Sequence, residues 1–488
     1  MDADRTAGAD ESFDLGGFSN LLHKHDLNLP MRFKFEIAYS PLADYSDFLT
    51  GKVDNAWIEF EIKWSNFLNA PLVFSSAVGL DDEHFGKIIC DEAGKKARIV
   101  DVNFKHHMLA KSEVEIEEGK VDFQNILAAM VAAIKQDFLF FKDKSEAEAS
   151  IKQGPTVKLE PQLFIDQQTA LPRYVRLNSE LRREDDETEN TEKPSLDPYE
   201  DEPTAWETLN DFFHTYFGGL ANVLRDELKK FRYIGPIRKT PPRFFTPVRT
   251  EEEARWTSGL AAWDVLNRTD DEFIQRTNSW LANENRLNSG YRIEVKRYKE
   301  LDVNGPIFLG IREGRYVENE AYEELIRLEL ENLPVKARVL LREEGTGLEV
   351  LPQDVGVGIS QVLPVIVVAL HSNNGIVAIE QPELHIHPAF QVALGDLFIS
   401  QVKERDVCFL LETHSEHLLL RMLRRIRETS ENILPPDVDG LTPEQLSISY
   451  VESKDNGCKI SELKVDKTGD SLGRWPEGFF EERRKELY

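Results

Sequence analysis

Three short stretches between Asp354 and Ser415 decide the fold predicted for this chain. They are the glycine-containing turn Asp354-Val355-Gly356-Val357-Gly358-Ile359-Ser360-Gln361, the run Gly375-Ile376-Val377-Ala378-Ile379-Glu380-Gln381-Pro382-Glu383, and the run Cys408-Phe409-Leu410-Leu411-Glu412-Thr413-His414-Ser415. The second and third are apolar until they end in carboxylates or a histidine. This pattern predicts two buried parallel strands whose carboxyl ends open onto one ligand crevice.

The first stretch has the composition of an anion-binding turn before a helix. Gly356 and Gly358 allow a positive φ and close backbone approach, and Ser360 is predicted to cap the apolar helix that comes next. Pro364 is expected near the start of that helix, since deeper inside it would remove a backbone hydrogen bond. A helix N-terminus with a serine hydroxyl suits a γ-phosphate. Alone, the stretch also fits a plain glycine turn before a buried helix.

The other two stretches favour nucleotide chemistry over a transition-metal site. A carboxylate at a strand end can hold a hydrated Mg²⁺ together with phosphate oxygens. The competing hypothesis is a metal site, for which an H-x-H and an H-x-x-H supply ligands: His385, His387, His414 and His417. No cysteine lies nearby, and His387 before Pro388 is typical of a turn and helix start, so the metal site is the weaker hypothesis.

In this order and spacing the three stretches resemble the signature loop, the Walker B strand and the switch histidine of ABC-type ATPases of the RecF, SMC and OLD kind. The chain as a whole resembles the DUF3696-containing AAA/ABC-type ATPases, also grouped as OLD-like. Three further segments carry this resemblance: Leu15-Gly16-Gly17-Phe18-Ser19-Asn20-Leu21-Leu22-His23-Lys24-His25-Asp26, Tyr233-Ile234-Gly235-Pro236-Ile237-Arg238 and Trp475-Pro476-Glu477-Gly478-Phe479-Phe480.

The resemblance implies ATP and Mg²⁺ as cofactors and a role for each site residue. Glu380 takes the metal position, and Gln381 stands where the family has its catalytic glutamate. Because glutamine can orient water but cannot accept its proton, Glu383 is the alternative base, facing the same side as Gln381 if Pro382 keeps the chain extended. His414 matches the histidine that contacts the γ-phosphate. The implied nucleotide contacts are Gly356, Gly358, Ser360, Gln361 and Arg238, the last of which fits a surface salt bridge equally well.

A P-loop is missing from the sequence. No G-x-x-x-x-G-K-[ST] occurs in the 488 residues. In the resembled family the Leu-Gly-Gly-Phe segment comes after the first strand and the P-loop, so that unit is expected to be absent here. Two explanations stay open, a truncated or misassigned start and a P-loop contributed by another chain. In either case the chain alone is expected to bind ATP poorly.

Composition predicts a soluble, cytoplasmic, acidic protein. The net charge is −28, three cysteines lie far apart, and no apolar run is long enough to span a membrane. An average surface of this charge repels nucleic acid, so DNA would have to bind through local basic patches. Two clusters are candidates, although a solvated helix face explains each as well: Lys229, Lys230, Arg232, Arg238, Lys239 and Arg243, and Arg421, Arg424, Arg425 and Arg427.

The predicted architecture is an α/β P-loop NTPase of the ABC-head type without its first strand and P-loop. Alternating apolar residues from Met31 to about Leu109 predict antiparallel strands, and an acidic, apolar-poor stretch splits the chain. Helical spacing predicts helices over 125–141 and 251–288, and residues 291–296 and 335–350 are predicted as a strand and a hairpin. Five regions are expected: 1–177, the remnant of the N-terminal lobe, mainly antiparallel β; 178–204, an acidic flexible loop; 205–334, a helical insertion; 335–445, the ATPase core; and 446–488, a C-terminal DUF3696-like hairpin and short helix.

Two functional hypotheses remain open. The first is an ATP-dependent dimerising switch, a homodimer or a heterodimer with a P-loop-bearing subunit, acting in bacterial defence against phage or DNA repair beside an effector such as a nuclease. The second is an inactive regulatory or scaffold subunit that complements a P-loop-bearing partner. A nuclease in its own right is disfavoured, because about 70 residues after His414 are too few for a further catalytic domain.

Overall fold

The computed structural model describes residues 18–38, 55–103, 106, 163–165, 169–172, 175, 213–243, 245–248, 253–313, 320–454, 457–473 and 475. The chain divides into two compact units, one extending through Lys229 and one starting at Lys230. In these ranges no helix has both the length and the apolar character needed to cross a bilayer. The predicted acidic loop, the helix predicted over 125–141 and the predicted terminal helix lie outside the described residues.

An antiparallel sheet forms the core of the first unit, as the alternating sequence predicts. Its strands pair in chain order, and β2 buries Ile58 and Phe60 on one face. A π-helical turn, His214–Gly219, continues into α1 and packs on this sheet through Tyr216, whose ring centroid lies 4.7 Å from that of Phe85. The elements are β1 (Met31–Ala38), β2 (Asn55–Ser65), β3 (Ala70–Leu80), β4 (Glu83–Cys90), β5 (Ala97–Val100), β6 (Leu163–Ile165) and α1 (Leu220–Leu228).

The second unit begins with a short strand and a group of helices. The single helical stretch predicted over 251–288 is three helices, because Gly259 at φ 76° ends one and the Asp270 side chain, accepting from the Phe273 amide, caps another. The elements are β7 (Arg232–Ile234), α2 (Glu253–Thr257), α3 (Leu260–Arg268), α4 (Asp271–Leu281), α5 (Pro306–Arg312) and α6 (Glu320–Asn332).

Two antiparallel arrangements confirm the predicted hairpins of the second unit. β9 (Lys336–Glu343) pairs with β10 (Glu349–Val350), and β8 (Tyr291–Tyr298) pairs on its other edge. β13 (Ile448–Lys454) and β14 (Gly457–Leu463) form a separate two-stranded hairpin. The sequence predicted β8 as a strand but did not predict its partner.

A three-stranded parallel sheet in the order β12-β11-β7 carries the two predicted strand ends. The predicted strands are β11 (Asn374–Glu380) and β12 (Asp406–Glu412), and β7 is an unpredicted third member. The helices of this region are α7 (Val357–His371), α8 (Pro388–Glu404) and α9 (Glu416–Ser430).

The core of the second unit lies on one face of this parallel sheet. α7 is buried from Ile359 to Leu370, consistent with a helix that is apolar all round. Val377, Ile379 and Val407 point into the same cluster, and the rings of Phe398 on α8 and Phe409 on β12 lie 4.9 Å apart. The alternate strand positions therefore face the other side, where the carboxylates of the strand ends also project.

Candidate functional site

Five side chains meet at the carboxyl end of the parallel sheet: Tyr233, Glu380, Glu383, Glu412 and His414. We call them the strand-end cluster. Glu380 and Glu412 are direct neighbours, because the parallel register of β11 and β12 pairs their Cα atoms. Since paired residues share a face of the sheet, the two carboxylates project to the same side. The predicted convergence of Glu380 and His414 on one edge is thus present in the structure.

Tyr233 ties β7 to the end of β11. Its hydroxyl donates to the Glu380 carboxylate over 2.7 Å. Burial raises the pKa of Tyr233 well above its usual range, and the hydrogen bond to Glu380 raises it further. The phenol therefore stays protonated at any physiological pH and acts as a fixed donor to one Glu380 oxygen.

Glu383 connects the loops that come after β11 and β12. Its carboxylate accepts from the Thr413 hydroxyl over 2.8 Å and from the His414 backbone amide over 2.7 Å. The extended path predicted through Pro382 is wrong, since Gln381 has φ 43° and its carbonyl accepts from the Leu384 amide, which closes a turn. The turn bends the chain directly after the strand, so strand alternation no longer governs where Glu383 points.

His414 is the most accessible member of the strand-end cluster. Its side chain is 76% exposed, and its Nε2 lies 3.4 Å from a Glu412 carboxylate oxygen. The imidazole is thus free to turn toward a ligand above the edge of the sheet. Glu412 holds it nearby by attraction whenever the ring is protonated.

Arg238 lies beneath the site rather than in it. The residue is 1% exposed, and one guanidinium nitrogen donates to the backbone carbonyls of Glu380, over 2.6 Å, and Gln381, over 3.0 Å. Burial lowers its pKa to about 10, and the negative charge of Glu383 opposes that shift. The surface salt bridge considered for Arg238 is therefore wrong. Its guanidinium braces the strand end from below.

The Gln361 side chain forms hydrogen bonds with the backbone of the same buried residue, Arg238. Its side-chain oxygen accepts from the Arg238 amide over 3.2 Å, and its side-chain nitrogen donates to the Arg238 carbonyl over 2.6 Å. The amide thereby mimics a strand partner for that backbone segment. Gln361 is 6% exposed, and both of its side-chain polar atoms are engaged by the backbone of Arg238.

The glycine-containing turn begins α7 earlier than predicted. Gly356, at φ −58°, is the N-cap, so the predicted Ser360 cap is wrong. Ser360 is 3% exposed, and its hydroxyl donates to the Val357 carbonyl over 2.9 Å. The prediction for Pro364 is also wrong, because it lies in the middle of α7.

Gly358 does fulfil the expectation of close backbone approach. A Cβ at this position would lie 3.1 Å from the His385 carbonyl oxygen, tighter than an ordinary contact. The start of α7 is thus adjacent to the loop that carries Glu383. Neither Gly356 nor Gly358 has the positive φ that the sequence allowed.

The competing metal site has no support. Within the described residues no three or more histidine, cysteine, aspartate or glutamate side chains are grouped as metal ligands. His387 instead caps α8, its Nδ1 accepting from the Ala389 amide, which confirms the predicted turn and helix-start role.

The basic clusters carry fewer available charges than the sequence indicated. Arg238 is buried, and Arg243 pairs with Asp354 over 2.6 Å. In the second cluster, Arg421 and Arg425 on α9 pair with Asp396 on α8, and Arg424 and Arg425 pair with Glu428 on their own helix. Arg421 and Arg425 therefore join the two helices, whereas the Arg424 ion pair lies within α9.

Sequence reasoning missed two residues of the site. Tyr233 was quoted only as part of a family segment, because nothing in the sequence shows that β7 lies beside β11. Thr413 was not singled out, because the turn after Gln381 that directs Glu383 toward it is a product of tertiary structure. Glu412 was indicated by the sequence, because it lies two residues before His414, and its pairing with Glu380 confirms that it faces the same crevice.

Comparisons with protein families match two parts of the chain. Residues 208–421 match a family described as "AAA domain, putative AbiEii toxin, Type IV TA system", and residues 441–488 match DUF3696, a family of proteins of unknown function. The first match contains the whole strand-end cluster. No curated protein matches the chain.

Solved structures give distant similarities. A structure from work on ATP-driven dimerization and DNA-stimulated activation of SMC ATPases is 12% identical, with TM-score 0.23, over 39% of this chain and 83% of that one. An Smc head bound to the C-terminal winged-helix domain of ScpA is 11% identical, with TM-score 0.25, over 43% and 50%. An Smc head with an extended coiled coil and bound ScpA C-terminal domain, from Pyrococcus furiosus, is 8% identical, with TM-score 0.28, over 94% and 79%.

The two family matches indicate which protein families parts of the chain resemble. The TM-scores of the three structural matches are too low to support a conclusion about this chain. The matched AAA domain covers the parallel sheet and its strand ends, and the DUF3696 match covers the hairpin β13–β14 and the residues after it. The chain thus contains one region similar to that AAA-domain family and one region similar to DUF3696.

Proposed function

We propose that this chain is the ATP- and Mg²⁺-binding part of an ATPase that works as an ATP-dependent dimerising switch. The observation that carries the proposal is the strand-end cluster. Two adjacent carboxylates, a third carboxylate bridging two loops and an exposed imidazole lie on the edge where parallel α/β sheets bind their ligands.

The donor set fits Mg²⁺ held together with a triphosphate. Glu380 and Glu412 supply hard oxygen ligands on one side, which suits an ion that takes one or two carboxylates and completes its shell with phosphate and water. When bound, the ion would neutralise charge on the phosphates. Glu380 is the preferred ligand, because the Tyr233 hydroxyl orients its carboxylate.

The remaining cluster residues have roles in positioning water. Glu383 accepts two hydrogen bonds, and because each carboxylate oxygen has a second lone pair it can still accept a proton from water. Gln381 orients that water, and His414 contacts the γ-phosphate. Arg238 and Gln361 keep the backbone of the Glu380 strand end in place from below.

A P-loop from outside these 488 residues would complete the site. The face of the parallel sheet opposite the helices supports this, because Ile376 is 44% and Leu410 62% exposed there and Cys408 lies between them. Parallel sheets are normally covered on both faces. A strand and helix bearing the P-loop would cover these side chains and grip the phosphates that this chain cannot.

The position of α7 supports the proposed dimerisation. Its N-terminus is at the surface, with Val357 56% exposed, so its first amides and Gly358 are accessible to a nucleotide held by a second subunit. Bacterial phage defence or DNA repair beside an effector is the context implied by analogy with the family.

The second candidate is a regulatory or scaffold subunit that retains the fold without turnover. Gln381 in place of a glutamate favours it, as does the engagement of both Glu383 oxygens by donors. Such a subunit would bind nucleotide in the assembled state and hydrolyse it slowly.

The test measures ATP turnover by the chain alone and by the chain supplied with a P-loop unit, fused ahead of it or on a partner. We expect turnover only with the P-loop unit, abolished by Glu380→Ala and retained in Glu462→Ala, an exposed control on β14. ATP binding without turnover in the complemented form would favour the regulatory subunit. Turnover by the chain alone that Glu380→Ala removes would contradict the need for a P-loop.

A further inference from the structure

A cavity of about 620 Å³ lies in the second unit, away from the strand-end cluster. Its walls come from the loop after β7, from α3, from β8 and β9, and from the segment that leads into α7. The volume is within the range of ordinary small-molecule sites, roughly 300–1,000 Å³. Its principal lining residues are Phe245, Trp263, Arg297, Tyr298, Arg338 and Gln353.

The lining is strongly basic, although the protein is acidic. Five cationic side chains and one carboxylate, Glu300, line the cavity of a chain whose net charge is −28. The cations are Arg243, Arg268, Arg297, Lys336 and Arg338. An excess of positive charge on low-dielectric walls concentrates anions, so the lining favours an anionic ligand.

Arg338 is the cation best placed to bind that anion. Among the described residues it pairs with no carboxylate, and its guanidinium lies 5.9 Å from the ring centroid of Tyr298. Arg243, Arg297 and Lys336 have partners in Asp354, Asp271 and Glu300. A guanidinium binds phosphate through two parallel hydrogen bonds, a geometry that an ammonium group does not offer.

Two of the lining residues each carry a buried polar atom without a partner among the described residues. Trp263 is 0% exposed, and its indole N–H has no acceptor among the described residues. The buried side-chain oxygen of Gln353 has no donor there, while its amide nitrogen is held by the Pro241 carbonyl. A buried polar group without a partner costs about 1–3 kcal/mol, so a ligand offering an acceptor to Trp263 and a donor to Gln353 would recover that loss.

We propose that this cavity binds a nucleoside phosphate, with its phosphate on Arg338, its base against Phe245 and Tyr298, and the base's polar edge on Trp263 and Gln353. Aromatic rings stack on any base, and a base edge carries donors and acceptors together, which an inorganic anion does not. The source is a free nucleotide or the terminal nucleotide of a single strand. The site is independent of the strand-end cluster.

The experiment titrates the full chain in magnesium-free buffer with AMP, with a short 5′-phosphorylated oligothymidylate and with inorganic phosphate. We expect AMP or the oligonucleotide to bind more tightly than phosphate. Arg338→Gln should weaken that binding about tenfold or more, the loss typical of one charge-assisted contact. Arg342→Gln, an exposed neighbour on β9 outside the cavity lining, should leave it unchanged.

Three further results decide the proposal. Trp263→Phe removes the indole N–H together with part of the ring, and it should weaken binding of the nucleotide probes but not of phosphate, with circular dichroism confirming the fold. Glu380→Ala should leave binding intact, which separates this site from the nucleotide site proposed above. The proposal would be overturned if neither AMP nor the oligonucleotide binds, or if phosphate binds as tightly as they do. It would also be overturned if Arg338→Gln binds the nucleotide probes with the same affinity as the unchanged protein.

Discussion

At the residue scale, the proposed function divides between Gln381 and Glu383 the task that one glutamate performs in the resembled family. Gln381 has a left-handed backbone conformation, which is unfavourable for a residue with a Cβ atom. Its position directly before Pro382 adds a second steric restriction, because proline disfavours helical conformations of the residue before it. The conformation turns the chain so that Glu383 reaches Thr413 and the His414 amide. The strained conformation of Gln381 thus places the Glu383 carboxylate, which among the described residues is the one that connects the loops after β11 and β12.

Gln381→Glu is expected to increase ATP turnover of the P-loop-complemented form by about tenfold or more, because a positioned general base typically contributes 10²–10⁴-fold. Steady-state phosphate release measures this, with Gln391→Glu on α8 as a matched substitution. If Gln381→Glu has no effect while Glu383→Gln abolishes turnover, Glu383 is the base.

Tyr233→Phe is expected to make stability less sensitive to alkaline pH. Burial and the Glu380 hydrogen bond raise the pKa of Tyr233 in the folded state. Above about pH 10 the unfolded tyrosine therefore loses its proton while the folded one keeps it, so the free energy of unfolding falls as pH rises toward the folded pKa. Tyr233→Phe has no phenol at this position, so it lacks this contribution to the alkaline loss of stability.

Urea unfolding at about pH 7 and about pH 11 measures the difference. Tyr450→Phe, on the separate hairpin β13–β14, is the control for the removal of one phenol. An equal alkaline loss in wild type, Tyr233→Phe and Tyr450→Phe would contradict the assignment.

At the element scale, an ion-pair group fastens α9 to α8. Arg425 is 3% exposed and pairs with Asp396 over 2.7 Å and with Glu428 on its own helix. Burial alone would raise the pKa of Glu428, but hydrogen bonds from Arg424 and Arg425 outweigh it and lower the pKa. The contact between α8 and α9 thus includes a buried ion pair between Arg425 and Asp396.

Glu428→Gln is expected to destabilise the protein by about 1–3 kcal/mol, because it leaves the buried Arg425 with Asp396 as its remaining carboxylate partner. Glu431→Gln, exposed at the end of the same helix, should cost less than about 0.5 kcal/mol. Urea unfolding of both variants at neutral pH gives the comparison. Equal stabilities would show that Glu428 contributes nothing to the fastening.

At the scale of the whole molecule, the parallel sheet has helices on one face and exposed apolar side chains on the other. Leu410→Asp is expected to leave the stability of the isolated chain within about 0.5 kcal/mol, because the side chain is already 62% exposed. The same change should weaken association with a P-loop unit at least about tenfold, since a buried unpaired charge is costly.

Analytical ultracentrifugation of the chain with the P-loop unit measures that association. Leu348→Asp is the matched control, since Leu348 is 61% exposed and lies beside β10, away from the parallel sheet. Unchanged association in Leu410→Asp would contradict the proposed covering of this face.

The sequence predicted the order of elements well and the direction of side chains less well. Apolar runs at Ile376 and Val407 sufficed to predict β11 and β12 and their shared edge, because period and composition reflect burial. Arg238 could not be predicted as an internal brace, since its carbonyl partners lie more than a hundred residues away along the chain. The start of α7 was misplaced because glycine is a permissible N-cap that carries no side-chain signal.

The open face of the parallel sheet also contains a natural chemical reporter. Cys408 is solvent-exposed beside Ile376, whereas Cys90 is buried in the first unit, where burial raises the pKa of its thiol. In a Cys458→Ser background, maleimide should therefore modify Cys408 far faster than Cys90. Slower maleimide modification of Cys408 would report, in real time, the binding of another polypeptide over this face of the sheet.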